Sequence, residues 1–358
     1  MTLREAIGQL FILGFEGRVL SQALKAFLHE CNPGGLILFA RNLGSPEEVA
    51  ALTAGLQAGS PTPLFIAIDQ EGGRVARLGP PFTQWPSPSA VGAFGSVTLT
   101  YALGDAMAKE LLAVGINTNL APVLDVLTNP ENPVMAGRSF GADPHAVAQL
   151  GTAFFRGQRD AGVLAVGKHF PGHGDTAADS HLALPVVRHD LARLLDVELV
   201  PFHKVIGDGI RALMTAHLLV PALDPVRPAT LSRAILSDLL REQLGFAGLI
   251  MSDDLLMQGI ADTTPPGEAA IRFLEAGGDL ILICQDEAAQ REAVAAVADA
   301  VETGRLSEKR LQASCDRIAR AKAQYLGHAT PLAPEALRLV VGCDTHQRLA
   351  ELLRAGPI

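Results

Sequence analysis

Eight short apolar runs recur along this 358-residue chain, and no other feature constrains its fold as tightly. They are Leu10–Phe15, Gly35–Phe39, Leu64–Asp69, Ile116–Val126, Leu164–Phe170, Ala212–Leu218, Gly248–Asp254 and Asp279–Cys284. A strand with one wet face alternates apolar and polar residues. These runs do not, so both of their faces are covered, as in a parallel sheet flanked by helices. The segments between them read as helices with recognisable starts. Ser45 and Asp143 each precede a proline, which suits an N-cap followed by proline at the first helical position. Eight β–α repeats and a trailing helix over Ser307–Tyr325 predict an α/β fold, the closed (β/α)8 TIM barrel, which needs about 250 residues. The barrel is assigned to residues 1–327 as a single domain, and residues 328–358 to a C-terminal helical extension. A doubly wound sheet is the competing architecture, but no G-x-G-x-x-G follows the first run.

Composition narrows the function classes. Lys and Arg number 29 against 38 Asp and Glu, a net charge of 29 − 38 = −9. That balance argues against nucleic acid or an anionic membrane surface as partner. The four cysteines, Cys31, Cys284, Cys315 and Cys343, are scattered without a C-x-x-C, so neither a disulfide framework nor a zinc ribbon is indicated. The N-terminus lacks the charged, apolar and small-residue regions of a signal peptide. No apolar run approaches the ~20 residues of a membrane span. The expectation is a soluble, cytoplasmic, reduced protein.

In such barrels chemistry gathers at the C-terminal ends of the strands. There this sequence concentrates its polar groups: Asp69 with Glu71 and Arg77 after the third run, Asp125 in the fourth, Lys168 and His169 in the fifth, His217 in the sixth, Asp253 and Asp254 in the seventh. The densest stretch is Lys168–His181, K-H-F-P-G-H-G-D-T-A-A-D-S-H, with His169, His173 and His181 beside Asp175 and Asp179. Metal ligation fits it. So does acid–base work by an Asp179–His181 pair, in which the carboxylate fixes the imidazole tautomer. Backbone hydrogen bonding alone also fits any one histidine. Strand alternation lets only one of Asp253 and Asp254 face a pocket, and Asp254 also suits an N-cap. Asp69, Arg77 and Lys168 form a set suited to a hydroxyl-rich ligand, or to structural ion pairs across the barrel mouth. Trp85, the sole tryptophan, suits stacking on a sugar or plain packing.

Three segments, K-H-F-P-G-H-G-D-T-x-x-D-S-H, D-Q-E-G-G-R-V-x-R-L and G-L-I-x-S-D-D-L, occur in that family's order: together the chain resembles bacterial β-N-acetylhexosaminidases of glycoside hydrolase family 3 over about residues 5–325. The resemblance implies a retaining β-N-acetylglucosaminidase. Asp253 would be the nucleophile, His181 the general acid/base and Asp179 its partner. Asp69, Arg77, Arg138, Lys168 and His169 would hold the sugar. It also implies a cytoplasmic enzyme without metal or cofactor, acting on small carbohydrates from cell-wall recycling, the 1,6-anhydro-muropeptides. Many glucoside-cleaving relatives carry the acid/base on a second domain; here the D-S-H pair within the barrel is expected to supply it. Two rival activities are a phosphorylase of the same family and a metal-dependent barrel hydrolase.

Overall fold

Each predicted apolar run contains a barrel strand in the computed structural model, which describes residues 2–177, 184–327 and 330–356. The strands are β1 (Phe11–Gly14), β2 (Gly35–Leu38), β3 (Phe65–Ile68), β4 (Thr118–Asn119), β5 (Leu164–Phe170), β6 (Ala212–Thr215), β7 (Leu249–Asp254) and β8 (Leu280–Ile283). Every neighbouring pair is parallel, and β1 pairs with β8, closing the barrel. One hydrophobic cluster takes residues from seven strands, with Leu120 contributing just beyond β4. The interior is therefore a packed core, and ligand space is left only at its ends.

The predicted caps form. Ser45 Oγ accepts from Glu48 N at 3.3 Å while Glu48 accepts from Ser45 N at 2.7 Å, a reciprocal capping box. Asp143 accepts from His145 N at 2.9 Å. A helix over Leu3–Gly8, not expected from the apolar pattern, carries the same device between Thr2 and Glu5. Two predicted helices are wound more loosely: over Leu194–Glu198 and Ala234–Gln243 the hydrogen bonds run i to i+5.

β4 is much shorter than its apolar run. Pro122 has no N–H to give to the ladder. Beyond it the chain still borders β5, with Leu124 N donating to Lys168 O at 2.6 Å and Lys168 N to Pro122 O at 3.0 Å. This carries Asp125 to the mouth.

After the trailing helix (Glu308–Tyr325), the segments Pro334–Val340 and Asp344–Ala355 are helical. They pack against the helix Val97–Ala113, and buried Glu110 is the knot. Its carboxylate accepts from Thr83 N and Oγ1 at 3.0 and 2.6 Å, Gly342 N at 3.0 Å and His346 Nδ1 at 2.8 Å. Trp85 is buried beside the His346 ring, 5.9 Å between centroids. No helix among the described residues is long and apolar enough to cross a membrane.

Candidate active site

The C-terminal ends of the strands surround a cavity of about 510 Å³. Six of the sequence-predicted residues line it: Asp69, Arg77, Arg138, Lys168, His169 and Asp253. Asp179 and His181 lie outside the described residues. Trp85 does not line the cavity; it is buried in the packing under the extension.

Asp69 follows β3 directly. The next residues turn into a small hairpin, Gln70–Gly72 against Val75–Ala76. Gln70 Oε1 closes it by accepting from Arg77 N at 2.9 Å and Leu78 N at 3.2 Å. Gly72 has φ +99°, and a Cβ there would lie 2.4 Å from Pro86 O, so only glycine fits. The hairpin thereby delivers Glu71 and Arg77 to the mouth.

There they join a charge network in which Glu71, Lys168 and Arg138 are buried and Asp69 and Arg77 half-buried. Lys168 Nζ donates to Asp69 Oδ1 at 2.8 Å and to Glu71 Oε1 at 2.7 Å. Arg77 Nη2 donates to Asp69 Oδ2 at 3.0 Å. Arg138 binds Glu71 with two parallel bonds, Nη2–Oε1 at 2.7 Å and Nε–Oε2 at 2.9 Å, the bidentate geometry that a guanidinium offers a carboxylate. Burial raises the Asp69 and Glu71 carboxyls, but the neighbouring cations outweigh it and hold both below the usual carboxylate range. The same attraction outweighs burial at Lys168 and Arg138 and keeps them protonated. The network is fully ionised at neutral pH and presents fixed donors and acceptors, which suits recognition of hydroxyls.

His169 is held from behind by Asp125. Its Nδ1 lies 2.6 Å from Asp125 Oδ2, and the same carboxylate accepts from the backbone N–H groups of His169 (3.3 Å) and His173 (2.6 Å). With Nδ1–H donating to Asp125, Nε2 keeps its lone pair, 3.4 Å from Arg138 Nη2. Burial, then the charges of Arg138 and Lys168, push the His169 imidazole well below its ordinary value, so it is neutral. Burial raises the Asp125 carboxyl in spite of its donors. Burial also lowers His173, whose Nδ1 is 2.7 Å from Thr176 Oγ1.

β7 presents Asp253 to the cavity. Burial alone would raise this carboxyl. The charge of a protonated His217, the Asp254 N–H at 2.8 Å and the Lys168 ammonium outweigh it and hold the Asp253 carboxyl below its ordinary value. Strand alternation was expected to expose only one of Asp253 and Asp254, yet both line the cavity. The register with β8 slips between Leu280–Met251 and Leu282–Asp254, and this bulge breaks the alternation. Asp254 is occupied with backbone: Oδ1 accepts from Leu256 N and Cys284 N, both at 3.2 Å. Its carbonyl accepts from His217 Nε2 at 2.9 Å.

The sequence places Glu71 and Asp125 near strand ends and points to no particular role for either. In the structure they are the carboxylates that fix Arg138, Lys168 and His169. The loop after β5 is rooted tightly: a Cβ on Gly174 would fall 1.8 Å from Val126 O. Among the described residues no group of three or more His, Cys, Asp or Glu is arranged to hold a metal ion.

A (β/α)8 barrel whose mouth gathers ionised carboxylates, imidazoles and cations around a sugar-sized cavity defines a barrel enzyme of the glycosidase kind. Residues 2–321 match the glycosyl hydrolase family 3 N terminal domain, and the chain belongs to that family; it is a glycoside hydrolase. It is 42% identical over 279 residues to a β-hexosaminidase of Alkalilimnicola ehrlichii, covering 76% of this chain and 80% of the relative. It superposes on a family 3 β-N-acetylglucosaminidase from Paenibacillus with a TM-score of 0.94 at 42% identity, over 99% of this chain and 68% of that one. A β-glucoside phosphorylase bound to 2FGlc matches with a TM-score of 0.89 at 28% identity, over 99% of this chain and 64% of that one.

Proposed function

We propose that the protein is a retaining exo-β-N-acetylglucosaminidase that releases terminal β-linked N-acetylglucosamine, with 1,6-anhydro-muropeptides from peptidoglycan recycling as its substrates. The observation that carries the reading is Asp253: a half-buried carboxylate, held below its ordinary value, in the lining of a mouth that also carries hydroxyl-binding charges. An ionised carboxylate facing a sugar pocket is equipped to attack an anomeric carbon.

In the first step an Asp253 oxygen bonds to C1 as the C1–aglycone oxygen bond breaks. His181, oriented by Asp179, gives its proton to the departing oxygen. In the second step His181 takes a proton from water. The water oxygen bonds to C1, and Asp253 leaves as carboxylate. Two inversions give net retention. Asp69, Arg77, Arg138, Lys168 and His169 hold the hydroxyls and the acetamido group meanwhile. The cavity ends on barrel-interior side chains, Ile37, Leu120, Met214 and Leu282, which supports action at a chain end.

The test is a panel of nitrophenyl β-glycosides combined with a 2-deoxy-2-fluoro or 5-fluoro sugar to trap the intermediate. The N-acetylglucosaminide should be turned over best, and mass spectrometry should find the label on the peptide containing Asp253. Label on another peptide, or release of the inverted sugar, overturns the mechanism. His181→Ala should slow an alkyl aglycone far more than a dinitrophenyl one; equal losses remove the acid role. The likeness to a phosphorylase makes phosphate a necessary arm: a sugar 1-phosphate would replace hydrolysis by phosphorolysis.

A further inference from the structure

Five cationic side chains line the cavity: Arg41, Arg74, Arg77, Arg138 and Lys168. Four have a carboxylate. Arg41 has Glu16 at 2.9 Å, Arg77 has Asp69, Arg138 has Glu71, and Lys168 has both Asp69 and Glu71. Arg74 alone has no acidic partner among the described residues. Its Nη2 donates to the backbone carbonyls of Val134 and, at 3.4 Å, Pro133. The Val134 carbonyl also receives Arg138 Nη1 at 3.5 Å, so the two guanidiniums share one wall of the cavity. Arg138 is buried on that wall and Arg74 is exposed. Arg74 therefore stands at the solvent-facing rim of the cavity, outward of the buried Arg138.

A guanidinium offers five N–H groups in a planar fork matched to carboxylate. Two carbonyls hold this one in place without neutralising it. The protein carries a net charge of −9, so an anionic ligand approaches against the overall field, and a local cation that no described carboxylate pairs offsets that. From these observations, and resting on the reading above, we infer that Arg74 is a specificity residue for the aglycone side, selecting N-acetylglucosaminides whose leaving group carries a carboxylate.

The matched probes are N-acetylglucosamine linked β-1,4 to 1,6-anhydro-N-acetylmuramoyl-L-alanine and the same conjugate with its terminal alanine carboxylate converted to the primary amide. Leaving-group oxygen and ring are identical, so the ratio of their kcat/KM values reads the charge alone. The wild-type enzyme should favour the acid by about fivefold at low salt, the upper end for an exposed ion pair, and less as salt is raised. Arg74→Gln should bring the ratio to about one and remove its salt dependence, whatever loss the two substrates share. Arg74→Lys should keep most of the ratio. A ratio unchanged in Arg74→Gln, or a wild-type ratio of one, overturns the inference. Failure of the wild-type enzyme to cleave either probe while it cleaves another glycoside would instead overturn the proposed substrate.

Discussion

Glu71→Gln isolates the carboxylate on which two buried cations converge. The substitution keeps the side chain's shape and removes its charge. Lys168 retains Asp69 at 2.8 Å, but Arg138 loses its one carboxylate at 2.7 and 2.9 Å. Both Glu71 and Arg138 are buried, with 1% and 10% of the side-chain surface exposed, so water cannot take over. Removing one partner of a buried pair costs about 3–5 kcal/mol; the surviving Lys168–Asp69 contact sets the expectation at about 3 kcal/mol. For 358 residues, an unfolding entropy of about 2.1 cal/mol/K per residue gives about 0.75 kcal/mol/K, hence a Tm lower by about 4 °C. Differential scanning calorimetry at pH 7 reads this directly. The Glu71 carboxyl is depressed in the fold, so its contribution is complete above its ordinary value and is lost as pH falls through the folded one. The gap between wild type and Glu71→Gln should therefore close as pH is lowered below about 4.5. Adding Arg138→Met should restore part of the loss, since the orphaned cation is gone. A Tm within 1 °C of wild type, or a gap that widens in acid, would refute the account of Glu71 as the network's central carboxylate.

Two further outcomes follow from the same geometry. Asp125→Asn removes an acceptor from a residue that serves His169 Nδ1 and two backbone N–H groups; one donor left unsatisfied at about 1–3 kcal/mol should lower kcat/KM on an aryl N-acetylglucosaminide at least about fivefold. Activity within twofold of wild type would detach Asp125 from the site. Gly174→Ala forces the root of the loop away from Val126 O and should lower both Tm, by about 1–4 °C, and turnover of substrates with poor leaving groups. An unchanged melting curve would disprove the close approach.

The barrel was largely legible because burial on both faces leaves a plain mark: each of the eight strands falls inside a continuous apolar run. Boundaries were less legible where backbone chemistry intervenes. Pro122 cut the fourth strand to Thr118–Asn119, although its apolar run reaches Val126. At the site, Asp69, Arg77, Arg138, Lys168, His169 and Asp253 could be placed together on one mouth from their positions at strand ends and in motifs. The partnerships could not. That Glu71 would serve Arg138, 67 residues away, and that Asp125 would serve His169, 44 residues away, depends on hairpin and loop geometry that periodicity does not encode. The bulge that brings Asp254 beside Asp253 is likewise a property of the β7–β8 pairing, invisible in either strand alone.

The Glu110 knot joins Thr83, just ahead of Trp85, to Gly342 and His346 near the other extremity of the polypeptide. Trp85 O in turn receives Gly73 N at 3.0 Å, at the shoulder of the hairpin that bears Glu71. Because this indole is the molecule's sole one and abuts an imidazole, its ultraviolet emission serves as an intrinsic gauge of whether the terminal helices are seated. Detachment and loss of sugar turnover can then be followed side by side in a single cuvette, with no attached dye.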